Sequence, residues 1–212
     1  MKQLTKYNRV AGYFNKLYDM LNTDFFGGEM VRPVITIQST PKAYGHFSLY
    51  EAWTVSGEGV PEINIGAGTL QRPIEQVVAT LVHEMTHQFN YISGIQDCSR
   101  GGTYHNKAFK KAGERFGLIV ERCEKYGWCI TSCSDRLLEW ILDNGLEDIQ
   151  LNRNEFGLFM AGGTSGTKEP TTKPKGSYRK HICLSCGLIA RTTKDASIIC
   201  GDCDAKMEKE GA

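Results

Sequence analysis

Residues 80–90 read TLVHEMTHQFN, and the fold is decided by what this stretch forms. On a helix, His83 and His87 project from one face a turn apart, so both imidazoles can reach a single metal ion. Glu84 lies beside them, placed to take a proton from a water that such a metal activates. The flanking residues support the helix. Ile74, Val77, Val78, Leu81, Met85, Phe89 and Ile92 recur at helical spacing and make one apolar stripe. Pro73 suits a first-turn position and Gly94 the far end. At about 100° per residue, His83 and His87 fall nearly opposite the stripe, on the side of Gln76 and Thr80. The pattern therefore predicts one face packed into a core and the other presenting the histidines to a cleft. The bland alternative is a pair of solvated helix histidines beside an unrelated glutamate, and the continuous stripe argues against it.

A catalytic zinc takes three protein ligands and keeps one position open. The third ligand does not come from this helix, because Asn90 and Ser93 stand where the metzincin extension requires Gly and His. Asp97, Cys98, His105 and Glu114 lie within reach in sequence. His105 is preferred, since it follows a glycine-bearing loop and opens a helix that could lie across the site. His46, beside Gly45, is the fallback, and a surface or core role suits it better. Tyr91 and Tyr104 are the guesses for a group that stabilises an oxyanion.

A second constellation is Cys183-x2-Cys186, then thirteen residues, then Cys200-x2-Cys203. Two such pairs let four thiolates close a tetrahedral zinc, with Gly187 and Gly201 at the tight turns. With every position filled by protein, this site is structural. The segment between the pairs is too short to bury a core, so the metal should provide most of its folding energy. Cys98, Cys123, Cys129 and Cys133 follow no ligand spacing and read as buried free thiols. Trp128 and Trp140 read as core residues.

Taken in order, Thr5–Leu21 predicts a helix, broken by NTDFFGG at residues 22–28. Pro33–Ile37 predicts a strand that Pro41 ends, and Ala43–Tyr50 and Pro61–Gly66 predict two more. The glycine-rich EAWTVSGEGV between them suits a hairpin connection. A third helix is expected over Asn106–Phe116. A short one is expected in SDRLLEWILDNG, capped by Ser134 or Asp135 and stopped by Gly145. The rest of 119–160 carries no readable role. The class is α+β, with a small antiparallel or mixed sheet packed on helices, including the one with the histidines. Residues 161–177 are rich in Gly, Thr, Lys and Pro without apolar period and read as a flexible linker between a core of residues 1–160 and a ribbon of residues 178–212.

Formal net charge is +1, which excludes a global attraction to polyanions. Residues 161–212 carry nine Lys/Arg against six Asp/Glu, a weak pointer to nucleic acid. No apolar run approaches the roughly 18–20 residues that span a bilayer, so no membrane partner is expected. The start, MKQLTKYNRVAGYF, lacks an apolar signal core. Eight cysteines without such a signal point to a reducing, cytoplasmic setting.

These residues together resemble the SprT-like zinc metalloprotease family, which includes bacterial SprT and the Spartan proteases. The resemblance covers roughly residues 17–118 and then the ribbon at 178–206. It is carried by Asn22, Phe25, Phe26, Gly27 and Gly28, by the strand after Pro33, and by Gly45 with Phe47. It continues through the Ile63/Ile65 strand, HEMTH, and His105 with Phe109 four residues later. The resemblance implies a zincin-like core, His83, His87 and His105 as zinc ligands, Glu84 as general base, and a second, structural zinc on Cys183, Cys186, Cys200 and Cys203. It also implies peptide hydrolysis. Spartan-type members cut proteins bound or crosslinked to DNA, which suggests DNA, single- or double-stranded, as a partner and a nucleoid-associated alternative location. Lys173, Lys175, Arg179, Lys180, Arg191 and Lys194 are then the expected nucleic-acid contacts, and the linker an expected region of self-cleavage. The rival readings are a non-catalytic nucleic-acid- or protein-binding module on a protease-like core, and a metal hydrolase acting on a non-peptide bond.

Overall fold

Apolar residues at helical spacing from Val10 onward shape the first element of the computed structural model, which describes residues 4–40, 43–154, 179–192 and 196–209. Helix α1 (Tyr7–Phe25) buries Val10, Phe14, Leu17, Tyr18 and Leu21 along one stripe. It ends at Gly27 (φ 78°) and Gly28 (φ 74°), left-handed positions that glycine occupies without a Cβ penalty. Asn22 fastens this turn: its Nδ2 donates to the Met30 carbonyl at 2.8 Å, and its own carbonyl accepts the Gly28 N–H at 2.8 Å.

Strands β1 (Val34–Gln38), β2 (Gly45–Phe47), β3 (Trp53–Val55), β4 (Glu58–Val60) and β5 (Glu62–Gly66) follow. They make a mixed sheet in the order β1-β5-β2, with β1 parallel and β2 antiparallel to β5. The connection EAWTVSGEGV is itself the β3–β4 hairpin, turned by Ser56 (φ 53°) and Gly57 (φ 88°), whose paired positive φ values suit a two-residue hairpin loop.

Helix α2 (Ile74–Ile92) carries both histidines of the opening stretch. Its burial goes beyond the single stripe expected from sequence. Glu75, Thr80, Glu84, Thr86, Gln88 and Asn90 are buried as well, while Ile92 at its end is exposed. The helix is enclosed because the first sheet lies against it on one side and the elements that follow it lie against the other. Gln88 among its buried polar groups accepts from the Tyr18 hydroxyl at 2.8 Å and donates to the Val31 carbonyl at 2.8 Å.

After α2 come β6 (Cys98–Ser99), β7 (Tyr104–His105), α3 (Lys107–Arg115), β8 (Leu118–Cys123), β9 (Gly127–Cys133) and α4 (Asp135–Asp143). Asn106 is the cap of α3, accepting the N–H groups of Ala108 and Phe109, so His105 sits in β7 just outside the helix. Ser134 caps α4, and Gly145 (φ 57°) follows its end. The strands form a second sheet in the order β6-β7-β9-β8, and the β8–β9 hairpin occupies a stretch whose sequence carries no readable role. Trp128 and Trp140 are half-buried, contrary to the expectation of core positions. The Lys110 ammonium lies 4.1 Å from the Trp128 ring centre, and the Trp140 indole donates to the Asp24 carboxylate at 2.6 Å. Of the four thiols expected to be buried, only Cys133 is; Cys98, Cys123 and Cys129 are partly exposed.

The chain divides into two compact units, Met1–Ser165 and Gly166–Ala212. In the second, β10 (Arg179–Ile182), β11 (Ile189–Thr192) and β14 (Glu208–Lys209) form an antiparallel sheet, and β12 (Ile199–Cys200) pairs with β13 (Ala205–Lys206). The expected linker at 161–177, with Lys173 and Lys175, lies outside the described residues, as does Lys194. No helix among the described residues is long and apolar enough to cross a membrane.

Candidate metal centres

His83 and His87 stand one turn apart on α2, and β7 brings His105 in from across the cleft. Their three Nε2 atoms are 3.1, 3.1 and 3.2 Å from one another. Three nitrogens bound to one tetrahedral ion at 2.0–2.1 Å would be separated by roughly 3.3 Å, so the triangle fits a metal.

The opposite ring nitrogens make the same case. His87 Nδ1–H donates to Asp97 Oδ2 at 2.7 Å, and His105 Nδ1–H to the Tyr126 carbonyl at 3.3 Å. His83 Nδ1 faces the Thr131 hydroxyl at 3.2 Å. A carboxylate and a carbonyl can only accept, so the protons of His87 and His105 lie on Nδ1 and their Nε2 lone pairs face the shared centre. Lone pairs converging at this distance repel unless a cation lies among them. Burial, reinforced by the neighbouring imidazoles, holds His83 well below the ordinary histidine range; the same causes lower His105 to about 4. Both rings are therefore neutral near pH 7, the form that binds metal. Phe109, fully buried, packs against all three, with ring centres 4.5–4.7 Å away.

Glu84, 6% exposed, lines the same cleft of about 470 Å³ as the three histidines. Burial pushes its carboxyl up to about 7, against the opposing pull of His87 and the Phe47 N–H that it accepts. The segment Ala43–Phe47 forms one wall of this cleft. Gly45 is needed there for a steric reason: a Cβ would stand 2.8 Å from the Asn64 carbonyl and 3.2 Å from Glu84 Oε1. The absent side chain lets β2 lie directly against α2.

The remaining sequence candidates are distributed as follows. Asp97 orients His87, accepting also from Asn90 Nδ2 at 3.0 Å. Burial would raise its carboxyl, but the hydrogen bonds from His87, Asn90 and Cys98 outweigh that and hold it below the usual range. Asp97 and Cys98 also lie within 4.8 Å of a ring nitrogen of His87, in a second possible ligand group. Glu114 pairs with Lys110 at 3.5 Å, away from the histidines. His46 is exposed on the cleft wall and outside the triad. Tyr91 meets the Phe47 ring edge-on, and the Tyr104 hydroxyl accepts from Arg122; neither lines the cleft, whereas Tyr44 and Tyr126 do. Thr131 and Tyr126 escape the sequence reading altogether. They reach the site because β9 pairs with β7 in parallel at His105 and Gly127. Gly127 (φ 72°) is the one available signal, since a Cβ there would stand 2.2 Å from the His105 carbonyl.

In the second unit, the Sγ atoms of Cys183, Cys186, Cys200 and Cys203 all lie within 4.8 Å of one another, a group able to hold a metal ion. Cys183 is lowered to about 7, chiefly by the Cys186 backbone N–H. Gly187 (φ 75°) turns the first knuckle as expected, but the second uses Asp204 (φ 50°) and not Gly201 as its left-handed residue. Among the expected nucleic-acid contacts, Lys180 and Arg191 are cross-strand partners and share a face. Arg179 precedes Lys180 on the same strand and projects to the opposite face.

No family model matches the chain, and neither a curated protein nor a solved structure matches it.

Proposed function

We propose that the chain is a zinc metallopeptidase of the SprT-like type, with a zincin-like core and a C-terminal zinc ribbon. The observation that carries this reading is the convergence of three outward-locked imidazoles and one buried carboxylate in a single cleft. Zinc bound there would act as a Lewis acid on a water and on the scissile carbonyl. Glu84, buried in the same cleft as the histidines, takes the water's proton and returns it to the leaving amine. Asp97, Thr131 and the Tyr126 carbonyl keep the imidazoles aimed. Strand β2 is an edge of its sheet, and its neighbourhood forms a cleft wall, so an extended peptide can lie along it. The four cysteines hold a structural zinc. Lys180 and Arg191 offer a small basic face to DNA, which favours DNA-associated proteins as substrates.

The test uses casein and DNA-bound histones as substrates, with zinc content measured in parallel. Glu84→Gln should retain zinc and lose on the order of 10²–10⁴-fold in turnover. Equal cleavage by this variant would remove the assignment. A zinc-loaded wild type that cuts neither substrate would favour the binding module or a non-peptide substrate.

A further inference from the structure

The chemistry proposed above makes no use of Cys123 and Cys129, which face each other at the end of the β8–β9 hairpin. Their Sγ atoms are 3.1 Å apart. The ladder shifts register between Glu121 and Cys123, where β9 carries one extra residue, so Cys123 lies beside Cys129 although Gly127 is its partner. A disulfide needs about 2.05 Å between sulfurs, so they must close by only about 1 Å. Both residues are partly exposed, and the connecting residues Glu124–Tyr126 are exposed.

The two sulfurs are also unlike. Cys123 Sγ accepts the Tyr126 N–H at 3.2 Å and lies beside the Cys129 thiol. Those contacts favour a thiolate at Cys123, and the Cys129 S–H is the donor between them.

We propose that Cys123 and Cys129 are a reversible dithiol–disulfide site that exchanges with low-molecular-weight disulfides. The Cys123 thiolate attacks one sulfur of the small disulfide, forms a mixed disulfide and expels one small thiol. Cys129 then loses its proton and attacks Cys123 Sγ, expelling the second small thiol. Two protein thiols are oxidised and one small disulfide is reduced to two thiols.

The loop that this bond closes contains the residues that hold His105. The Tyr126 carbonyl accepts both the His105 backbone N–H, at 2.9 Å, and its Nδ1–H, and Gly127 pairs with His105. Oxidation pins that loop and slows metal release from the histidines. This consequence rests on the zinc reading of the triad; the disulfide itself does not.

The experiment treats full-length, zinc-loaded protein with oxidised glutathione, leaving the ribbon thiols protected by their metal. Intact mass should fall by about 2 Da, with the tryptic peptides of residues 123–125 and 126–136 linked through Cys123 and Cys129. Cys129→Ser should instead retain a glutathione mixed disulfide on Cys123, and Cys123→Ser should leave Cys129 unmodified. Linkage confined to other cysteines, or a Cys129→Ser protein without the adduct, would overturn the site. Release of zinc from the triad to a chelator should slow several-fold on oxidation, and the Cys123→Ser/Cys129→Ser protein should show no such change. An unchanged rate in oxidised wild type would overturn the coupling alone. Because the first readout is taken at sulfur, it stands or falls whether or not the histidines hold zinc.

Discussion

Around His83, His87 and His105 the protein builds a scaffold that does not depend on the ligands. Helix α2 is enclosed by two sheets and its neighbouring helices, Phe109 supports the three rings, and Asp97, Thr131 and Tyr126 hold their outer nitrogens. In the ribbon the ligands are themselves the core. Among the described residues its buried apolar side chains are Cys183, Cys200 and Met207, with Ala190, Ile198, Cys203 and Ala205 packed against them. A metal at the first cluster would thus sit on a preformed support, whereas at the second it would be part of what folds the chain.

This contrast is broken most directly by removing metal. Chelation should abolish amide hydrogen-exchange protection across β10–β14 while α1 and α2 stay protected, because their burial is apolar and independent of the ligands. Equal loss of protection in both units would show that the histidine cluster also folds its surroundings.

A smaller effect sharpens the claim of a preformed support. Asp97→Asn keeps the shape of the side chain but removes the carboxylate that fixes the His87 tautomer. Zinc affinity at the triad should fall roughly 10–100-fold, measured by competition with a chromogenic chelator, and ribbon affinity should not change. A triad affinity equal to wild type would mean that Asp97 has no orienting role.

The smallest effect is on acid stability. In the metal-free protein His105 has its folded value lowered to about 4 from 6.5, chiefly by burial, so the unfolded chain binds the proton more readily. The stabilisation from keeping this ring neutral is present above about pH 6.5 and is lost as pH falls toward 4. Denaturation midpoints should drop through that interval in wild type and less so in His105→Ala. Parallel curves would contradict the placement of His105 in a buried cluster.

What the sequence made legible follows from distance along the chain. The two helix histidines, their glutamate and the paired cysteines have spacings set by one turn of helix or one knuckle, so a short window contains them. The partners of the imidazoles are remote: Thr131 is forty-eight residues from His83, and Tyr126 twenty-one from His105. They meet through strand pairing that no local pattern announces. The hairpin that carries them also hides its period, since Ile119 on β8 and Ile130 on β9 are exposed apolar residues, Ile119 lying between the buried Leu118 and Val120. The enclosure of α2 was concealed for a related reason. Its buried Glu75, Thr80, Glu84 and Asn90 read as a polar face, and only the surrounding elements turn that face inward.

The measurement that tests the central claim most directly is the zinc stoichiometry of full-length wild type, His105→Ala and a Cys183→Ser/Cys186→Ser protein. The account predicts two zinc ions in wild type and one in each variant, with only the cysteine variant losing the fold of its second unit. One zinc in wild type that persists in His105→Ala and disappears in the cysteine variant would contradict it, leaving the ribbon as the only metal site and the cleft without its chemistry.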